Sequence, residues 1–141
     1  MTEYIAYTDG SNSTDIAIAW GFVILKNNKI VHEDCGEAPV KRFKKHRNIY
    51  GEIVAVIQTI KWCKQNDIKE ITIIYDYSGL EEWATGRWKK KTLMTKLYYE
   101  SVITSGIHIK WIKVKGHSGD IWNDYADSLA KKGLRVALKR M

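Results

Sequence analysis

The chain has 141 residues, 45% hydrophobic and 28% charged, and its 23 Lys and Arg against 16 Asp and Glu give a formal net charge of +7. That length suits one domain, residues 1–141, built on a single core. No run approaches the roughly 18 apolar residues of a membrane span, and the start lacks a basic-then-apolar leader, so a cytoplasmic protein without membrane contact is expected.

In chain order, residues 3–9 (EYIAYTD) read as a strand that ends on Asp9, followed by a polar loop, GSNSTD. Residues 17–26 (AIAWGFVILK) form a second strand, and Asn27-Asn28, suited to a tight hairpin, leads into a third, KIVHEDCG. Beyond the basic loop KRFKKHR (41–47), Ile49, Ile53, Val56, Ile57, Ile60 and Cys63 recur at three- and four-residue spacing. That period predicts an amphipathic helix with Glu52 at the edge of its apolar stripe. The β-branched segment EITIIYD (70–76) reads as a buried strand ending on Asp76, with a turn at SGL and a short helix through EEWATG. A helix through TLMTKLYYESVITS leads to the strand HIKWIKVKG. The last segment, WNDYADSLAKKGLRVALK, is a helix with Asp127 in its first turns. The order β-β-β-α-β-α-α-β-α implies an antiparallel meander extended by helix-linked strands, an α/β fold with a mixed sheet and helices on its faces.

Four acids stand out by placement. Asp9 and Asp76 close strands that could be neighbours, and Glu52 and Asp127 lie on helices that could pack across the same region. Each alone is ordinary turn, capping or solvated chemistry. Converging carboxylates repel and raise one another's pKa values unless a cation is present. Mg²⁺ takes oxygen ligands and shares its shell with phosphate, and two such ions can clamp the attacking and leaving oxygens of an in-line phosphoryl displacement.

The cation excess is clustered at 41–47, at RWKKK (87–91) and at KKGLRVALKR (131–140), which favours a polyanionic partner. Trp88 stands among cations where an aromatic face could stack on sugars or bases. His117, in the loop KGHSGD, could reach the pocket of Asp127. Cys35 and Cys63 lack metal spacing and read as reduced thiols.

On YTDGS, NIYGEI, IIYD and VKGHSGDIWNDYADSLAKKG, which occur in order over residues 3–133, the sequence resembles the ribonuclease H family of the cellular, bacterial ribonuclease HI kind. The resemblance implies a five-stranded mixed sheet of order 3-2-1-4-5 flanked by helices. It also implies cleavage of the RNA strand of RNA–DNA hybrids to 3′-hydroxyl and 5′-phosphate ends, with two Mg²⁺ ions or Mn²⁺. By carry-over, Asp9 would bridge both ions, Asp127 would help hold the one on the water side, and Glu52 and Asp76 the one on the leaving-group side. His117 would assist proton handling or product departure. Gly10, Ser11 and Asn12 would read ribose 2′-hydroxyls, Asn48 would lie in the minor groove, and Ser78 and Trp88 are further candidate contacts.

The chain departs from the family pattern at several points. Arg47 stands where many members bind phosphate with threonine, Tyr77 follows Asp76 where Ser is common, and position 123 is Asn where some members have a further acid. The long basic protrusion of some relatives has no room here. A monomer with no obligate protein partner is expected. Competing readings are a hybrid-binding module without turnover and a nuclease of this fold acting on DNA junctions or single strands.

Overall fold

The structure, a computed structural model, describes residues 3–13, 17–38, 47–90, 92–114 and 120–140, with the side chains of Arg47 and Asn48 outside that description. The elements are β1 (Tyr4–Ser13), β2 (Ala17–Lys26), β3 (Lys29–Ala38), α1 (Arg47–Gln65), β4 (Glu70–Tyr75), α2 (Gly79–Ala84), α3 (Leu93–Ile103), β5 (His108–Lys113) and α4 (Ile121–Lys139). They form one five-stranded sheet of order β3-β2-β1-β4-β5. The pairs β1–β2 and β2–β3 are antiparallel, and β1–β4 and β4–β5 are parallel. This is the mixed sheet expected from the sequence.

One boundary differs in a way that matters. Residues Gly10–Ser13 are strand, not loop, because Trp20–Ala17 of β2 offer them a continuous antiparallel partner. Pairing with a buried strand outweighs the turn preference of Gly, Ser and Asn. Asp9 therefore lies inside β1 rather than at its end. Asn27 and Asn28, with φ of 53° and 62°, make the hairpin that their side chains tolerate. The short helix starts at Gly79, earlier than EEWATG suggests.

The sheet has apolar layers on both faces, as strand alternation requires. Ala6, Ile18, Phe22 and Ile24 meet Ile49, Ile53, Val56, Ile60 and Cys63 of α1. On the opposite face Tyr7, Val23, Leu25 and Ile74 meet Ala126 and Leu129 of α4. β2 carries both layers and is buried along almost its whole length, like a strand covered on two sides.

Glycines set how closely the helices approach. A Cβ on Gly21 would lie 2.5 Å from the Ala130 nitrogen, and one on Gly133 would lie 3.0 Å from the backbone of Gly36. Helix α4 thus crosses from β2 to β3 at backbone contact. Cys35 and Cys63 are free thiols. No helix among the described residues is long and apolar enough to cross a membrane.

Candidate active site

The site forms where β1 and β4 part. Their pairing runs from Ile5–Thr72 to Tyr7–Ile74, and the same offset sets Asp9 level with Asp76, the residue after the end of β4. A crevice beyond the carboxyl ends of adjacent parallel strands is the usual ligand position in open α/β sheets. On one face, α1 brings Glu52 to Asp9 through contact between Gly10 and Gly51. A Cβ on Gly10 would lie 2.8 Å from the Gly51 carbonyl carbon, so only glycine permits this spacing.

Asp9, Glu52 and Asp76 each place a carboxylate oxygen within 4.8 Å of the others. Asp9 and Glu52 are only 8% and 7% exposed. Burial raises the Asp9 carboxyl to about 7, opposed by the Gly10 amide and reinforced by the charges of Asp76 and Asp127. That Gly10 N–H donates to Asp9 Oδ1 at 2.8 Å. Burial pushes Glu52 further, to about 10, with hydrogen bonding to Asp76 and the charges of Asp76 and Asp9 adding to it.

Glu52 Oε1 is buried and has no hydrogen-bond partner among the described residues. Three converged acids with an unpaired buried oxygen fit a hard divalent cation, whose charge would reverse these shifts. Asp127 joins from α4 on the opposite face, close enough to Asp9 for its charge and hydrogen bonding to act on it. It lies outside the tight trio and pairs with Lys131 Nζ at 2.9 Å, one helical turn on. The ammonium of Lys131 is held charged by Asp127, with Asp9 and Asp124 adding to the effect. The four-residue spacing of Asp127 and Lys131 is the sequence signal for this pair.

Past Tyr7 no described strand pairs with β1 on its β4 side. Alternate peptide groups of the stretch containing Gly10, Ser11 and Asn12 therefore face the crevice rather than a neighbouring strand. Ser78 stands at the start of α2 without a side-chain cap. Trp88 is 39% exposed and its ring meets Tyr77 and Trp83 at centroid distances of 6.4 and 5.5 Å. Tyr77, a departure from the family pattern, lies near enough to Glu52 to feel its charge. His117 and the side chains of Arg47 and Asn48 lie outside the described residues.

The family model for RNase H matches residues 1–135. A Ribonuclease H of Francisella tularensis subsp. novicida is 34% identical over 145 residues, which cover 92% of this chain and 90% of that protein. Human Ribonuclease H1 is 31% identical over 102 residues, covering 62% of this chain and 35% of the human protein, so this chain spans about a third of that longer relative. Among solved structures, LC11-RNase H1, isolated from compost and determined in complex with RNA/DNA hybrid, matches with a TM-score of 0.79 at 18% identity. That match covers 96% of this chain and 99% of the other.

Proposed function

Since the chain belongs to the ribonuclease H family, we propose that it hydrolyses the RNA strand of RNA–DNA hybrids, leaving 3′-hydroxyl and 5′-phosphate ends. The observation that carries this reading is the meeting of Asp9, Glu52 and Asp76 within 4.8 Å in a buried crevice. The relative bound to RNA/DNA hybrid supports the substrate class.

Asp9, Glu52, Asp76 and Asp127 would hold two Mg²⁺ ions, with Mn²⁺ able to substitute. When bound, such ions supply Lewis-acid stabilisation of the charge that develops on the attacking and leaving oxygens. The protein's own part is to hold four carboxylates in one place and to keep two of them out of water, which strengthens their electrostatics. His117 is the candidate for proton handling or product departure.

Alternate peptide groups of the stretch Gly10, Ser11 and Asn12 would meet the hybrid from the side of β1 that β2 does not cover, where they could read the 2′-hydroxyls that distinguish RNA from DNA. Asn48 would sit in the minor groove, and Arg47 and Ser78 would meet phosphate or sugar. Trp88 would supply a stacking face. The excess of basic residues suits the polyanion. A cytoplasmic monomer without an obligate protein partner completes the reading.

The test is incubation of a labelled hybrid with Mg²⁺ or Mn²⁺, beside duplex DNA, duplex RNA and a four-way junction. RNA cleavage confined to the hybrid and abolished by Asp9→Asn is expected. An intact RNA strand under both metals, or preference for the junction, would overturn the reading.

A further inference from the structure

Arg87 opens the basic run RWKKK, where a guanidinium would be expected to meet phosphate, yet it is committed to the protein itself. Its Nε donates to Glu82 Oε1 and Oε2 at 3.2 and 3.1 Å. Its Nη2 donates to Glu82 Oε1 at 2.8 Å and to Glu81 Oε2 at 2.6 Å. The other oxygen of Glu81 accepts the Tyr75 hydroxyl at 2.7 Å. Tyr75 ends β4 and directly precedes Asp76.

On its other side the network reaches Trp88. The Trp88 amide donates to the Glu82 carbonyl at 3.0 Å, and the Gly86 amide donates to that of Trp83 at 3.2 Å. Gly86 makes the turn with φ +82°, a value that favours glycine. The half-exposed indole then packs edge-on against Trp83 and Tyr77. A continuous set of contacts joins the residue beside Asp76 to the aromatic face.

Stability alone is a poor account of this network. Half-exposed ion pairs add little to folding free energy. One guanidinium beside two carboxylates also leaves a local excess of negative charge, which repels phosphate. The network supplies order instead. Helix α2 has six residues, too few to hold its own geometry, and Arg's planar fork fixes direction as well as charge.

We propose, resting on the hybrid-cleavage reading above, that Arg87 is a positioning residue that holds the Trp88 indole in place relative to Asp76, while the exposed Lys89, not Arg87, meets the hybrid's phosphate. The two roles have different signatures. A cation on phosphate releases counterions and steepens salt dependence, whereas a positioning residue leaves that slope alone.

The experiment measures hybrid cleavage over a salt series for Arg87→Gln, Arg87→Lys, Trp88→Ala, Lys89→Gln and the Arg87→Gln/Trp88→Ala double variant. Arg87→Gln should raise KM about fivefold to tenfold with kcat unchanged, in the range of losing one stacking face. Arg87→Lys, which keeps the charge and loses the fork, should behave alike, and the double variant should be no worse than Trp88→Ala. The slope of log KM against log salt should match the unsubstituted protein in Arg87→Gln and fall by about one in Lys89→Gln. An unchanged KM, a shallower slope in Arg87→Gln, or additive losses in the double variant would overturn the proposal. If the unsubstituted protein cleaves no hybrid, the activity reading fails instead. The positioning role is then decided by acrylamide quenching of Trp88, taken as the difference from Trp88→Phe. Increased quenching in Arg87→Gln supports it and unchanged quenching overturns it.

Discussion

Gly10 and Glu52 touch through their backbones: a Cβ on Gly10 would stand 2.5 Å from the Glu52 nitrogen. The catalytic candidate on α1 is placed against β1 by the absence of a side chain. Gly10→Ala should force α1 outward, costing about 2–4 kcal/mol of stability as overpacking does. Gly51→Ala, whose methyl would run into the Ala19 carbonyl oxygen, should be as severe. Chemical denaturation reads the loss. Hybrid cleavage should fall more than the folded fraction does, because the carboxylate spacing changes too.

Glu52→Gln separates function from stability. Glu52 is buried with one oxygen unpaired among the described residues and its carboxyl pushed up to about 10, so ionising it without metal opposes folding. The neutral amide removes that conflict. In chelator near pH 8 the variant should be more stable by about 1–2 kcal/mol while losing hybrid cleavage. A variant less stable than the parent in chelator would contradict this account of the site.

The pH dependence of the metal-free protein has a definite sign. Folding raises the Asp9 carboxyl from 3.8 to about 7 and that of Glu52 from 4.5 to about 10. A group raised in this way stabilises the fold in its protonated form, and that contribution fades as pH climbs from the unfolded value through the folded one. Glu82, lowered by Arg87, acts in the opposite sense, but its stabilisation is lost only as pH falls below the ordinary carboxylate range. In chelator the melting temperature should therefore decline from about pH 5 to about pH 9. Saturating Mg²⁺ should restore it, and by more at the alkaline end, because the ion competes with protons for the same oxygens. A larger Mg²⁺ effect at the acidic end would contradict the assignment.

Tyr98→Phe serves as a contrast. The Tyr98 hydroxyl, fully buried on α3, donates to the Leu80 carbonyl on α2 at 2.6 Å. Its removal takes a short hydrogen bond from a buried carbonyl and should cost about 1–2 kcal/mol. Cleavage per folded molecule should be unchanged, since the hydroxyl is fully buried and spent on the Leu80 carbonyl. A loss of kcat in fully folded protein would show that α2 transmits strain to Asp76.

The parts of this design that repeat locally could be read from the sequence. The helical period around Glu52, the asparagine hairpin and the β-branched run before Asp76 each state their structure within a few residues. The acids could be singled out for the same reason, by position within an element. What joins distant segments was illegible. That Gly51 lies on Gly10 depends on a contact across 41 residues of chain, and glycine is more often a turn signal than a packing surface. Residues 10–13 looked like a loop because their partner, Ala17–Trp20, overrides their own preference. Arg87 looked like a surface cation because nothing in RWKKK reveals that Glu81 and Glu82, on the preceding helix, hold it.

The glycines beneath α1 and α4 bear on how such a site survives sequence drift. Side-chain volumes change from relative to relative, and a helix resting on them shifts when they do. Here α1 lies on β1 through Gly10 and Gly51, and α4 lies on β2 and β3 through Gly21, Gly36 and Gly133. Peptide units have the same radius in every protein. The two helices are thus gauged against a surface that substitution elsewhere leaves unaltered, and the oxygens of Asp9, Glu52 and Asp127 can keep their spacing while the hydrophobic layers around them are rewritten.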